Sequence, residues 1–188
     1  MTKNNQNKKV KKIGVMVGSD SDLPQCLEGL KYLQIAEEAE KCKVLIVITN
    51  SIHRNTDEVL KNIELYSHQL DAWIIGAGWA NHLTGTCDAY LRYKFKNTET
   101  RVFGVAFEDK KDDQNTKAAI LSIICVPGTQ VDFSAYVGSK GFLLACQDAV
   151  ENFSDLPKIK IGVGKEVIKR TLEQAIVKVQ SMTDEKNK

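Results

Sequence analysis

The chain has 188 residues, 43% of them hydrophobic and 27% charged, which is typical of a single globular domain with a full apolar core. Its 26 Lys and Arg side chains against 24 Asp and Glu leave a formal net charge of +2. Five of the lysines lie in the first 12 residues, so the remainder carries a net charge of −3, which disfavours nucleic acid as a partner. No apolar run approaches the roughly 20 residues of a membrane-spanning helix, so the sequence predicts no membrane partner.

The five cysteines are odd in number and form neither a CxxC pair nor a cluster with histidine. They are Cys26, Cys42, Cys87, Cys125 and Cys146. This pattern disfavours a disulfide framework and a zinc site, and it favours reduced, buried thiols in a cytoplasmic protein. The polar N-terminus lacks the apolar stretch of a signal peptide, and we expect residues 1–11 to be a disordered basic tail.

Short apolar runs alternate along the chain with longer segments of helical spacing. In chain order, the pattern predicts strand 12–17, helix 23–33, strand 44–49, helix 56–66, strand 72–75, helix 84–93, strand 102–107, helix 115–124, an alternating fifth strand near 131–137 and helix 141–152. Thr56 is the predicted N-cap of the second helix, with Asp57 and Glu58 at the positive end of its dipole.

This alternation predicts a doubly wound α/β fold, in which helices cover both faces of a parallel sheet in three layers. The first four strands are almost wholly apolar, as strands buried on both faces are. We assign residues 12–156 to one catalytic domain. Residues 157–182 form a C-terminal extension whose amphipathic helix, near 166–180, either caps its own domain or lies on a neighbouring subunit.

Three predicted turns follow strand ends, where open parallel sheets bind ligands. The first contains Gly18, Ser19, Ser21 and Asp22. Gly18 permits a tight turn, the hydroxyls donate hydrogen bonds to an anion, and Asp22 accepts bonds from a sugar diol. The alternative is that Ser19 or Asp22 is simply an N-cap.

The second turn contains Ser51, His53 and Arg54. Arg54 offers a planar fork for phosphate, and His53 transfers protons near neutral pH. The alternative is a solvated pair on a surface loop.

The third turn, residues 76–85, combines small residues with His82. The complete GxGxxG spacing is absent, so its glycines could equally serve helix packing. Together the three turns predict a sugar-phosphate pocket with acid–base chemistry and no metal, because His53 and His82 are only two candidate ligands. His68 is predicted to be a surface or packing histidine.

These turns resemble the class I N5-carboxyaminoimidazole ribonucleotide mutases, also called the AIR carboxylase catalytic subunit of purine synthesis. The family motif M-G-S-x-S-D is similar to VGSDSD at 17–22, and S-A-H-R-T-P to SIHRNT at 51–56. G-A-G-G-A-A-H-L-P-G is similar to GAGWANHLTG at 76–85, and L-L-S-I-V-Q-M-P to ILSIICVP at 120–127. Four motifs in this order make the resemblance specific.

The resemblance implies a flavodoxin-like domain assembled as a homo-octamer, with the C-terminal helix reaching a neighbour. It also implies transfer of a carboxylate from the exocyclic nitrogen to the ring carbon of aminoimidazole ribonucleotide, without ATP, metal or organic cofactor. His53 would be the general acid–base, and His82 would help to orient CO2. The implied substrate-binding residues are Gly18, Ser19, Ser21, Asp22, Ser51, Arg54, Ala77, Gly78 and Leu83.

The sequence departs from the family pattern mainly in the third motif. Trp79 replaces a glycine, Asn81 an alanine and Thr84 a proline, all in the loop expected to wall the CO2 pocket. A tryptophan at this position has the bulk to fill that pocket. Two other functions therefore stay open beside the mutase: a nucleotide- or sugar-phosphate-binding module without catalysis, and a carboxylase or decarboxylase of a related ribotide.

Overall fold

Four parallel strands form the central sheet of the computed structural model, which describes residues 10–152 and 156–186. They are β1 (Lys11–Val17), β2 (Cys42–Thr49), β3 (Ala72–Ala77) and β4 (Arg101–Ala106), in the spatial order β2-β1-β3-β4. Each of the four predicted apolar runs forms a strand. β1, β3 and β4 are buried along most of their length, whereas β2, at the edge of the sheet, is only partly buried, so the predicted burial on both faces is wrong for β2. Most of the predicted basic tail, residues 1–9, lies outside the described residues.

Helices cover both faces of the sheet, which confirms the three-layer α/β architecture. They are α1 (Leu27–Glu38), α2 (Thr56–Tyr66), α3 (His82–Ala89), α4 (Asp113–Ile124) and α5 (Gly138–Glu151). A sixth helix, α6 (Leu172–Lys186), lies in the C-terminal extension. Side chains alternate along β1, so Val15 and Val17 pack against α1 and α5, while Met16 packs on the α2 and α3 side. α4 covers β4 at the edge of the sheet.

The predicted fifth strand is wrong as a continuous element. Residues 131–137 make only two isolated parallel bridges to β4, Phe103 with Asp132 and Ala106 with Val137. Between these bridges Ala135 adopts a left-handed backbone with φ of 53°. Because an extended strand cannot pass through that conformation, the ladder is interrupted.

The start of α1 and the N-cap of α2 also differ from prediction. A 3-10 segment, Asp20–Cys26, precedes α1 and contains Pro24, so the α-helix begins only at Leu27. Thr56 is not the N-cap of α2: Asn55 occupies that position, and the Thr56 hydroxyl donates to the carbonyl of Ile52 at 2.5 Å. The tight turn before the helix places the Thr56 hydroxyl beside a free carbonyl, which it satisfies instead.

Regular secondary structure in the C-terminal extension begins later than predicted. α6 starts at Leu172, and residues 156–171 contain no helix or strand. The extension is tied to the domain where Arg101 donates to the carbonyl of Pro157 at 2.5 Å and where Ile159 is buried. None of the described helices is long and apolar enough to cross a membrane.

Four of the five cysteines are buried, as predicted, whereas Cys125 is exposed just after α4. Cys125 directly follows the last helical residue, Ile124, which is itself half exposed. Burial raises the pKa of the Cys26 thiol to about 12, which keeps it protonated and unreactive at neutral pH.

Candidate active site

A cavity of about 410 Å³ opens at the carboxyl ends of β1, β2 and β3. β1 lies between the other two strands, so the loops that follow all three meet at one edge of the sheet. All eleven residues singled out in the sequence line it: Gly18, Ser19, Ser21, Asp22, Ser51, His53, Arg54, Ala77, Gly78, His82 and Leu83. Three further residues line the cavity but were not proposed as catalytic or substrate-binding: Ile52, Trp79 and Ala80.

The first loop is packed tightly against the third. The N–H of Gly18 donates to the carbonyl of Gly76 at 2.9 Å, and a Cβ on Gly18 would lie 2.7 Å from the Cβ of Ala77. A side chain at position 18 would therefore push the two loops apart.

Ser19 both caps the 3-10 segment and faces the cavity. Its Oγ accepts hydrogen bonds from the N–H of Ser21 at 3.3 Å and from the hydroxyl of Ser21 at 2.9 Å. The N-cap alternative is thus correct for Ser19, but it leaves the Ser19 hydroxyl hydrogen to be donated elsewhere. An anion in the cavity is a suitable acceptor.

Asp22 connects the first loop to the third by accepting a hydrogen bond from the backbone N–H of Gly78. Burial raises the pKa of this carboxyl, and the bond from Gly78 partly opposes that effect. A Cβ on Gly78 would approach Asp22 Oδ1 to 3.4 Å, so a small residue suits this close approach.

Gln25 fastens the same segment to the end of β4, a contact that sequence analysis missed. Its side-chain amide donates to the carbonyl of Glu108 and accepts from the N–H of Glu108, both at 3.0 Å. Because the partners are backbone atoms 83 positions away, no sequence pattern could have indicated this pair.

The second loop is a tight turn that projects two side chains into the cavity. The carbonyl of Ser51 accepts from the N–H of Arg54 at 3.2 Å and from that of Asn55 at 2.9 Å. His53 and Arg54 are exposed as a result. Arg54 has no carboxylate partner within residues 10–152 and 156–186, so its guanidinium remains available to an anion.

Asn81 and Thr84, two departures from the family motif, form one buried brace in the third loop. Asn81 Oδ1 accepts from the N–H of Thr84 at 3.1 Å and lies 2.9 Å from its hydroxyl, while Asn81 Nδ2 donates to the carbonyl of Val105 at 2.9 Å. Asn81 is therefore the N-cap of α3. A proline at position 84 would have no N–H to satisfy, which explains why the two replacements occur together.

This brace sets the position of His82, the first residue of α3. Nδ1 of His82 lies 3.1 Å from Nε2 of His53, and the two rings meet edge to face with centroids 5.0 Å apart. The sequence placed both histidines at one sheet edge but could not reveal this direct contact. His68 is exposed and lies outside the cavity.

Trp79 does not fill the cavity. Its side chain is 68% exposed and lines the rim, and its backbone is left-handed with φ of 55°. That conformation favours glycine, which is the residue the family motif has at this position. The residues that the structure describes contain no cluster of three or more His, Cys, Asp or Glu arranged to hold a metal.

Comparisons with known proteins show which family the chain belongs to. The sequence model of the AIR carboxylase family matches residues 12–140. The N5-carboxyaminoimidazole ribonucleotide mutase of Pyrococcus abyssi (strain GE5 / Orsay) is 33% identical over 152 residues, covering 79% of this chain and 78% of that protein. The crystal structure of Treponema denticola PurE has the same fold, with a TM-score of 0.51 at 16% identity over 77% of this chain and 89% of that one. The chain belongs to the AIR carboxylase family.

Proposed function

We propose that the protein interconverts N5-carboxyaminoimidazole ribonucleotide and 4-carboxy-5-aminoimidazole ribonucleotide. The observation that carries the proposal is that His53 shares one cavity with the hydroxyls of Ser19 and Ser21 and with Arg54. Family membership and the 33% identity to a mutase support the same reaction.

Charge and hydrogen-bonding capacity indicate which end of the cavity would bind the phosphate. Ser19 donates its hydroxyl hydrogen, Arg54 supplies a guanidinium cation, and Ser21 lies beside Ser19. The carboxyl oxygens of Asp22, next along the loop, accept from the ribose hydroxyls. A ribose phosphate held in this way is placed with its base toward the third loop.

His53 then moves one proton in each half of the reaction. It first protonates the exocyclic nitrogen as the carbamate C–N bond breaks, which releases CO2 and leaves the amine. The ring carbon next attacks CO2 to form a C–C bond, and His53 removes the proton from that carbon. The proton returns to its donor, no atom is oxidised or reduced, and the net result is an isomerisation.

CO2 must remain beside the ring between the two halves. Gly78 and Ala77 allow the backbone to approach the ligand closely, and His82, held against His53, closes the adjacent wall. Retention of CO2 is a matter of positioning and of excluding water, because escape would waste the substrate.

We also propose that the protein acts in the cytoplasm as a homo-oligomer, with an octamer as the family expectation. Exposed apolar side chains in the C-terminal extension support this assembly, among them Val163, Val167 and Leu172, which are 98%, 85% and 79% exposed. Light scattering should give eight times the 21.0 kDa chain mass. Replacing Val167 and Ile168 with glutamate should lower that mass.

The decisive experiment measures interconversion of the two carboxylated ribotides by the purified protein, with chelator present and ATP absent. Wild-type protein should turn over, and His53→Asn should lose activity by roughly 100-fold or more while keeping its circular dichroism spectrum. His68→Asn is the matched control, since His68 is exposed and lies outside the cavity.

Normal activity of His53→Asn would overturn the assigned role of His53. Wild-type binding of aminoimidazole ribonucleotide without interconversion would favour a binding module instead. Turnover of another ribotide would favour a related carboxylase or decarboxylase, an outcome for which the replacement of glycine by Trp79 supplies a physical reason.

A further inference from the structure

One large apolar side chain at the cavity, that of Trp79, has no part in the proposed chemistry. Ile52 and Leu83 line the cavity but are 8% and 1% exposed, so they contribute to its floor. Trp79, at 68% exposure, is the large apolar side chain that the rim presents to a ligand. Burial in the core does not account for its presence.

The backbone around Trp79 is held from both sides. On one side the N–H of Gly78 donates to Asp22, and on the other the buried side chain of Asn81 is fixed to the carbonyl of Val105. Trp79 keeps a left-handed φ of 55° between these anchors, a conformation that bulky residues rarely adopt. Such strain, maintained by surrounding contacts at a cavity wall, is characteristic of functional positions.

We propose that Trp79 is a specificity-determining residue whose indole stacks on the planar aromatic base of the ribotide. This inference rests on the proposed function, because it requires a ribose phosphate held by the first two loops. The phosphate-binding side chains on those loops would hold any sugar phosphate, whereas an indole at the rim favours one that carries an aromatic base. Trp79 would thus separate base-bearing ribotides from plain sugar phosphates.

The two tryptophans give a direct spectroscopic test. Trp73 is fully buried against Tyr66, while Trp79 is exposed, so acrylamide should quench Trp79 preferentially. Aminoimidazole ribonucleotide should change the emission of Trp79 and protect it from acrylamide, whereas ribose 5-phosphate should do neither. In Trp79→Phe, which leaves Trp73 as the sole indole, both ligands should leave the emission unchanged.

Calorimetric titration supplies the affinities. Trp79→Gly relieves the left-handed strain, so this variant is expected to fold. It should weaken binding of aminoimidazole ribonucleotide by roughly tenfold and leave binding of ribose 5-phosphate unchanged. Trp79→Phe, which keeps an aromatic face, should retain most of the affinity.

Three results would overturn the proposal: unchanged ribotide affinity in Trp79→Gly, equal losses for both ligands, or equal emission changes with both in the wild type. Failure of the proposed function would give a different result. The wild-type protein would then bind the ribotide with the expected change in Trp79 emission but would not interconvert the two carboxylated ribotides.

Discussion

His53 Nε2 and His82 Nδ1 lie 3.1 Å apart, so the two imidazoles share one hydrogen between them. If His82 donates from Nδ1, the neutral His53 carries its own hydrogen on Nδ1 and presents a bare Nε2. If His53 donates from Nε2, His82 is the acceptor. The tautomers of the two rings are therefore coupled, and protonating both rings would bring two N–H groups face to face.

His82→Asn should slow turnover. We expect kcat to fall by roughly 10- to 100-fold, because His53 loses the partner that orders its tautomer. Steady-state kinetics measure the effect, and an unchanged kcat would show that the contact with His53 does not contribute to turnover.

The brace between Asn81 and Thr84 can be tested as a pair. Asn81→Ala leaves the N–H of Thr84 without its side-chain acceptor in a buried setting and removes the bond to the carbonyl of Val105, at a cost of about 1–2 kcal/mol. Adding Thr84→Pro removes that N–H altogether. The double variant, which restores the family's residues, should recover about 1 kcal/mol in urea denaturation.

Thr84→Pro alone is the control for this cycle. It keeps Asn81 but removes both donors that its Oδ1 accepts from, so it should destabilise the protein. If the losses of stability in the two single variants simply add in the double variant, the two replacements are independent. That result would contradict the interpretation of Asn81 and Thr84 as one brace.

The fold was predictable because its strands are apolar runs that alternate with segments of helical spacing, a pattern typical of a parallel sheet covered by helices. The site was predictable for a related reason. Once parallel strands are assigned, topology alone brings the loops that follow them to one edge, which placed Ser19, His53 and His82 together before any distance was known.

Features that depend on backbone detail were not predictable. The left-handed Ala135 interrupts the fifth strand, although its residue type gives no signal of that conformation. The amide of Gln25 meets backbone atoms of Glu108, which any residue would offer. Thr56 resembles an N-cap in sequence, yet its hydroxyl donates to Ile52 because of the turn before it.

Gln25 should matter for substrate binding more than for the chemical step. Gln25→Ala removes both bonds to Glu108 and loosens the segment that carries Ser19 and Asp22, whereas His53 lies on another loop. We expect KM to rise roughly three- to tenfold with little change in kcat, consistent with the loss of two exposed hydrogen bonds. Steady-state kinetics separate the two parameters.

Gln34→Ala is the matched control, because Gln34 lies on the exposed side of α1, where its side-chain amide donates to Glu38 at 3.4 Å and not to the loops of the cavity. It should leave KM unchanged. A fall in kcat for Gln25→Ala with constant KM would contradict the proposed role of Gln25, which is to hold the first loop, with Ser19 and Asp22, in position.

Asp22→Asn should raise the stability of the protein at neutral pH and weaken its binding of the ribotide. Burial raises the pKa of its carboxyl above the ordinary 3.8, so the folded protein holds this proton to higher pH than the unfolded chain does. Stability therefore falls as pH rises through the interval between 3.8 and the raised pKa, and the loss persists at neutral pH. Asp22→Asn removes the desolvated charge and should be more stable at neutral pH, by about 0.5–1 kcal/mol.

This gain should shrink as the pH falls toward 3.8, where the wild-type carboxyl is also neutral. The same variant should bind aminoimidazole ribonucleotide more weakly, because an amide offers the ribose hydroxyls one acceptor oxygen instead of two. Asp20→Asn is the charge-matched control on the same turn, where the side chain is exposed and lies outside the cavity. If Asp22→Asn were no more stable than wild type at neutral pH, burial of the Asp22 carboxylate would not destabilise the folded protein. That result would contradict the view that Asp22 lowers stability but is needed to bind the ribose.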